Sequence, residues 1–243
     1  MMAYSVSKEV IENTVIRVSN EIELVKKSQK TWENYSESKL WFELVTCILG
    51  SRVRYEIVKE CIKRLQKKGL LKITYILNNP KIAKMKISNE LNKAIYLTFN
   101  NGKGIKYPYS KRAAQFITQT CSEIYKKRRT KIKLLLKKCC NEYEVRDLLV
   151  RICMGIGPKQ ASLFLRNICY CENLAILDSH VIHYMKLLNL IKEFRETITK
   201  NQYLTYEKKL LSYADSLNKT LGNLDLAIWV VMRLVQKEFQ KWG

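Results

Sequence analysis

The sequence predicts an all-α protein, and three observations lead there. Apolar residues recur at steps of three and four along most of the 243 residues, the period of one helix face. Glycine and proline number only 8 and 3, too few for long irregular stretches. No segment shows the apolar–polar alternation of a half-buried strand, and no internal repeat or low-complexity tract interrupts the helical pattern. With 47% apolar residues the chain can bury one substantial core or two modest lobes.

Taken in order, Val6 to Lys27 places Val10, Ile11, Val15, Ile16, Val18 and Ile22 on a helical pattern with charges opposite. This predicts one long N-terminal helix, followed by a polar connector from Ser28 to Glu37. Lys39 to Leu49, with Leu40, Trp41, Phe42, Leu44, Val45 and Ile48, reads as a core helix that Gly50-Ser51 breaks. Arg54 to Lys67 is amphipathic, and Gly69 supplies a C-cap. Leu70 to Leu77 is apolar and punctuated by Pro80. Ile87 to Phe99 is expected to be helical, and Asn100 to Gly104 to be a loop. Ser110 is expected to cap a helix running to about Lys127. Helices are also expected over Glu142 to Cys153, where Val145, Leu148, Leu149 and Ile152 share a face, and over Ser179 to Leu190, Gln202 to Leu217 and Asn223 to Lys241.

The charge balance is 44 basic against 22 acidic residues, a net of +22. Such an excess points to polyanions first and anionic membrane second. The longest apolar run, Leu226 to Met232, is far too short to span a bilayer, so no membrane partner is expected. Lys126-Lys127-Arg128-Arg129-Thr130-Lys131, with Lys137 and Lys138, is the densest basic run. Like charges this close repel unless an anion compensates, as a phosphate backbone would; the alternative is a solvated helix junction. Met1 to Lys30 is polar and mixed in charge, unlike a signal peptide, which predicts a cytoplasmic, nucleoid-associated protein that is not secreted. The eight cysteines therefore read as thiols rather than a disulfide framework. Cys169-Tyr170-Cys171 lacks the second half of a zinc site, and His180 and His183 lack a third ligand, so no structural metal is expected.

The chemistry concentrates between Met154 and Asp178. Gly155 and Gly157 stop the preceding helix, because glycine alone takes positive φ without steric cost, and Pro158 starts the next one. A helix, a tight glycine hairpin and a second helix result, whose amides can cradle a phosphate. Lys159 falls in the first turn of the second helix. A free lysine, with a pKa of about 10.4, is protonated and cannot attack. Desolvation and the positive end of the helix dipole disfavour the ammonium form and can make the amine a nucleophile. Asp178, closing the next apolar segment, could stabilise positive charge developing on a sugar. Each part has a plainer reading: a structural turn, a solvated lysine, and a helix N-cap before Ser179-His180. Acting together, such a lysine and aspartate would suit the chemistry of a DNA glycosylase with lyase activity.

The run Gly155-Ile156-Gly157-Pro158-Lys159, followed by an apolar segment ending in Asp178-Ser179-His180, resembles the helix-hairpin-helix DNA glycosylase superfamily. Within it the chain looks most like the archaeal-type 8-oxoguanine DNA glycosylase/AP lyases. Gly157 to Asn167 and Leu221 to Trp229 carry that likeness. The resemblance implies a two-lobed fold with the active-site cleft between lobes: a helical domain over 31–171, ending in the hairpin, and a second lobe from 1–30 and 172–243. It implies Lys159 as the Schiff-base lysine and Asp178 as the catalytic aspartate, facing each other across the cleft. Gly155, Gly157 and His180 would contact DNA, with Lys111 and Arg112 as further contacts that plain solubility also explains. Arg52 falls where relatives carry a gap-filling polar residue, often glutamine or asparagine; this departure bears on opposite-base preference, and the plain reading is a surface arginine. Ser51, Trp229 and Lys241 would line the base pocket, Trp229 as a stacking face or as a buried helix tryptophan. Relatives place a C-terminal lysine against oxidised guanine, whereas this chain continues past Lys241 to Trp242-Gly243, which bears on that contact.

No cysteine follows Cys171, so no iron–sulfur cluster is expected. A monovalent cation held by hairpin carbonyls is implied by the resemblance alone. The implied partner is double-stranded DNA containing a damaged base, with no obligate protein partner. The expected activity is excision of 8-oxoguanine through a lysine Schiff base, with strand nicking by β-elimination. Two alternatives stand beside it: a glycosylase for another damaged or modified base, and a non-catalytic helix-hairpin-helix DNA-binding protein.

Overall fold

Among the described residues the chain builds twelve α-helices and one ribbon of two two-residue strands, so the fold is all-α. The computed structural model describes residues 6–25, 31–97, 103–192 and 198–238. The chain divides into two units, residues 31–168 and residues 1–30 with 169–243.

In the unit of residues 31–168 the central element is α2, Glu37–Leu49. The Ser36 hydroxyl caps it by accepting from the Lys39 N–H at 3.2 Å. Leu40, Trp41, Leu44, Val45, Ile48 and Leu49 are buried, forming the broad apolar face of the helix. The Trp41 indole N–H, which cannot be buried unpaired, donates to the Leu71 carbonyl at 2.9 Å. The next helix, α3 (Tyr55–Lys67), stops where Gly69 takes φ +65°. There the Leu70 N–H reaches the Leu65 carbonyl and the Gly69 N–H the Gln66 carbonyl, a paired C-terminal motif that needs a left-handed residue.

Short α4 (Ile73–Asn78) runs into α5 (Pro80–Leu91). This corrects the helix expected over Ile87 to Phe99. Pro80 occupies the first helical position, so it starts a helix rather than merely breaking the chain. Ile95–Tyr96 forms β1 instead, antiparallel to β2 (Gly104–Ile105), with Ile95 opposite Ile105 and Tyr96 opposite Gly104. Strands of two residues carry no readable alternation, which is why none was expected. The expected loop Asn100 to Gly104 falls largely on residues 98–102, outside the described residues.

The sixth helix, α6 (Ser110–Cys121), corrects another expectation: Tyr109 is its N-cap residue and Ser110 its first helical residue, with no side-chain cap bond. It passes at Cys121 into a π-helical turn, Ser122–Lys127. Beyond that lies α7 (Ile132–Lys138), a helix inside the stretch read only as a basic run. Its N-terminus is capped from afar: the Glu37 carboxylate accepts from the Ile132 N–H at 2.7 Å, the Lys133 N–H at 3.2 Å and the Tyr125 hydroxyl at 2.7 Å. Part of the basic run is neutralised internally, since Glu123 pairs with Lys127 at 3.2 Å and Arg128 at 3.1 Å. Helices α8 (Glu142–Ile152) and α9 (Pro158–Asn167) close this unit.

In the other unit, α1 (Lys8–Val25) packs along α12 (Leu221–Glu238), with α10 (Ser179–Leu187) also against α12 and α11 (Lys200–Ser216) beside it. Ile11, Val15, Leu177, Tyr184, Leu224 and Met232 belong to one buried cluster. A reciprocal capping box, Thr199 with Gln202, starts α11. No helix of the described residues is long and apolar enough to cross a membrane.

Candidate active site

The hairpin between α8 and α9 is fixed at each turn of the backbone. Asn141 caps α8, accepting from the Glu144 N–H at 3.0 Å, while Glu144 returns a bond to the Cys140 N–H at 3.1 Å. Past the end of α8, the Met154 N–H donates to the hydroxyl of buried Thr120 on α6 at 2.9 Å. Gly155 follows with φ +80°. A Cβ there would stand 2.2 Å from Cδ2 of Phe116, so both the backbone and the neighbouring ring require glycine. Gly157 departs from expectation: its φ is −100° with ψ −179°, ordinary extended backbone. Nothing lies within 4 Å of a Cβ placed on it. Gly155 alone supplies the left-handed turn, and Gly157 is the N-cap of α9.

Pro158 takes the first position of α9, and Lys159 the second. The N–H groups of Lys159 and Gln160 have no acceptor within the helix at this end. Lys159 is half-buried, and its amine has no hydrogen bond or ion pair among the described residues. Gln160 is buried, with Oε1 left without a hydrogen-bond partner. Its Nε2 lies 3.7 Å from where a Cβ on Gly50 would be, so the turn after α2 lies against the first turn of α9. Ser51 and Arg52 follow Gly50 in that turn and are both exposed. Arg52 has φ 59°, a left-handed backbone that costs a non-glycine residue about 1–2 kcal/mol. Strain of this kind collects at functional sites.

Lys111 and Arg112 are exposed in the first turn of α6. The Arg112 guanidinium sits 5.1 Å from the centre of the Phe116 ring, the ring that abuts Gly155. Arg112, Gly155, Gly157, Lys159, Ser51 and Arg52 therefore all belong to the unit of residues 31–168, tied together by Phe116 and Gln160. Neither of those two was singled out from sequence.

Asp178 and His180 belong to the other unit. Asp178 is the N-cap of α10, its carboxylate accepting from the Val181 N–H at 3.0 Å. It is half-buried, as is His180 in the first turn of the same helix. The preceding segment is held by buried side chains from two helices. The Ala175 N–H donates to Glu207 at 3.0 Å, and the Tyr203 hydroxyl donates to the Ala175 carbonyl. The Ile176 N–H donates to Asp225 at 2.8 Å. Trp229 lies one turn beyond Asp225 on α12, half-buried, with the Arg233 guanidinium 5.0 Å from its ring centre. One face of that indole is thus covered by a cation. Lys241 lies outside the described residues. Glu207, Tyr203 and Asp225 were missed from sequence. The available signal was Asp225 itself, a carboxylate among the buried Leu224, Ala227 and Ile228 of one helix.

Among the described residues no three His, Cys, Asp or Glu side chains gather as a metal site. A lysine at a helix start beside a glycine hairpin, and a carboxylate capping another helix, match the pattern of a family with known members. The sequence profile of the 8-oxoguanine DNA glycosylase family matches residues 22–219. The chain belongs to the 8-oxoguanine DNA glycosylase family.

Within that family, an 8-oxoguanine DNA glycosylase/AP lyase from Saccharolobus solfataricus is 30% identical over 198 residues, 81% of this chain and 84% of that one. The 8-oxoguanine DNA glycosylase/AP lyase of Thermotoga maritima is 36% identical over 129 residues, but that stretch spans only 53% of this chain and 58% of that one. A crystal structure of the 8-oxoguanine DNA glycosylase from Thermotoga maritima has a TM-score of 0.69 at 25% identity, covering 96% of this chain and 99% of that chain. The 8-oxoguanine DNA glycosylase of Methanocaldococcus jannaschii gives a TM-score of 0.70 at 26% identity, covering 92% of this chain and 93% of that chain. The family that the glycine hairpin resembles is thus the family found.

Proposed function

We propose that this member of the 8-oxoguanine DNA glycosylase family excises oxidised guanine from double-stranded DNA and then nicks the strand at the resulting abasic site. Relatives named 8-oxoguanine DNA glycosylase/AP lyase support both activities. The observation that carries the reading is Lys159: second residue of α9, half-buried behind the Gly155–Gly157 turn, its amine bound to no described residue.

Binding starts with charge. A net of +22 attracts the duplex, and the hairpin amides with Lys111 and Arg112 hold its backbone. Arg52 fills the space left by the extruded nucleotide, and Ser51 and Trp229 meet the extruded base. Extrusion costs a few kcal/mol, offset by stacking of about 1–3 kcal/mol per base. The Lys159 amine attacks C1′, shedding a proton, as the bond from C1′ to the base breaks. Asp178 stabilises the positive charge that develops on the sugar, with His180 beside it on the DNA strand. The displaced base departs with the bonding electrons and takes up a proton. The amine then closes to a Schiff base with the opened sugar, and loss of a C2′ proton expels the 3′ phosphate.

Borohydride trapping on a duplex carrying one 8-oxoguanine tests this directly, because only a Schiff base is reduced to a covalent adduct. The wild-type chain gives adduct and nicked strand; Lys159→Gln gives neither, while affinity for the duplex stays within about threefold. A Lys159→Gln chain that still traps removes the lysine from the chemistry. A wild-type chain that binds but never traps makes it a non-catalytic binding protein, and trapping only on another lesion reassigns the substrate.

A further inference from the structure

The geometry points to Asp225 as a positioning residue for Asp178, with Glu207 and Tyr203 fixing the segment behind it. This rests on the reading of Asp178 as the group that meets the sugar cation. Residues Leu174 to Leu177 form neither helix nor strand, so their backbone groups need partners from elsewhere. Ala175 is clamped on both sides from α11, by Glu207 on its N–H and by the Tyr203 hydroxyl on its carbonyl. Ile176 is the link to Asp178. Its N–H donates to Asp225 at 2.8 Å, and its carbonyl accepts the N–H of Asp178 at 2.8 Å. A single residue therefore separates a buried carboxylate on α12 from the backbone of Asp178. The Asp178 side chain is fixed in turn by the Val181 N–H.

The choice of a carboxylate is informative. Glu207 and Asp225 are 3% and 2% exposed, and burying an ionisable group is costlier than burying an amide that could accept the same bond. A carboxylate accepts only, and holds an N–H more tightly than a neutral oxygen. It thereby excludes a second arrangement in which donor and acceptor trade places. Such control matters where a group must meet a developing charge, since a misplacement of about 1 Å can cost on the order of 100-fold in rate. Along α12 Asp225 sits beside the buried Leu224, Ala227 and Ile228.

The test is a double-mutant cycle in single-turnover base release from a duplex carrying 8-oxoguanine, using the full chain. Asp225→Asn is expected to slow release by roughly 10- to 100-fold, with duplex affinity unchanged within about threefold. In the Asp178→Asn background the same substitution is expected to cost less than about twofold, because its effect passes through a carboxylate already lost. An equal factor in both backgrounds overturns the inference, for Asp225 would then act on the fold or on DNA directly. A wild-type rate for Asp225→Asn also overturns it. Asp178→Asn releasing base at the wild-type rate, by contrast, defeats the reading of Asp178 itself. Should Asp225→Asn fail to fold, Tyr203→Phe enters the same cycle, since it removes one hydroxyl from the Ala175 carbonyl and keeps the ring. The same coupling is expected there, and its absence is equally fatal.

Discussion

Gly155 and Phe116 occupy one space: a Cβ on the glycine would stand 2.2 Å from Cδ2 of the ring, and the glycine backbone is left-handed at φ +80°. Gly155→Ala is therefore expected to destabilise the protein by about 2 kcal/mol or more, adding backbone strain to a displaced core ring. Gly157→Ala has neither problem and is expected to change stability by less than about 0.5 kcal/mol. It should weaken DNA binding all the same, because a methyl group there comes between the backbone and an approaching phosphate. Urea unfolding and duplex titration on the two variants check both halves. A Gly157→Ala chain unchanged in both removes this glycine from the DNA-binding surface.

Asp178 has two duties, and two substitutions separate them. Asparagine caps a helix about as well as aspartate, so Asp178→Asn should unfold within about 0.5 kcal/mol of wild type while base release falls by orders of magnitude. Asp178→Ala loses the bond to the Val181 N–H as well, and should cost about 1 kcal/mol more. Denaturation curves with single-turnover rates decide it. Equal activity in Asp178→Asn would leave Asp178 as a cap alone.

Glu37 holds α7 from a position remote in sequence. Removing its three accepted bonds in Glu37→Ala should cost about 2–3 kcal/mol, more than Tyr125→Phe, which loses one of them and should cost about 1 kcal/mol. Burial first, and then this carboxylate, hold the Tyr125 phenol above its usual range, so the hydroxyl remains a donor at any physiological pH. Thermal melts of the two variants and their double mutant give the ordering.

Thiol reactivity should divide the cysteines sharply. Burial pushes the thiol of Cys61 up to about 11 and those of Cys121 and Cys153 up to about 12, and raises that of Cys47 as well. Thiolate is the reactive form, so at pH 8 a group with a pKa of about 11 is ionised to only about one part in a thousand. Exposed Cys140 is expected to react first with a disulfide reagent. Cys47, Cys61, Cys121 and Cys153 should react only once denaturant removes the burial that raises their values. Rapid labelling of all eight in native buffer would contradict the packing of the unit of residues 31–168.

The hairpin could be read from sequence because its signals are local: glycines, a proline at a helix start, and the lysine after it. The same rule over-reached at Gly157, where an N-cap in ordinary extended backbone stood in for a left-handed turn. Pro80 carried the opposite ambiguity, a helix start that looks like a break. Helix α7 was hidden because its cap is a glutamate far away in the chain, and no window around Ile132 contains it. Asp225 and Glu207 were visible as acids on apolar faces, but only the folded chain says which backbone groups they hold. Arg112 could be named as a surface cation, yet its link to Gly155 runs through Phe116 and has no local trace.

The π-helical turn at Ser122–Lys127 spends one residue more per turn than the helix it continues, closing with the Arg128 N–H on the Glu123 carbonyl. Deleting a single residue there would let the segment rewind as ordinary α-helix without breaking its ladder. Everything downstream would keep its phase, because the residue lost is the extra one of that turn. The turn is thus a place where the chain can shorten by one residue and keep its scaffold.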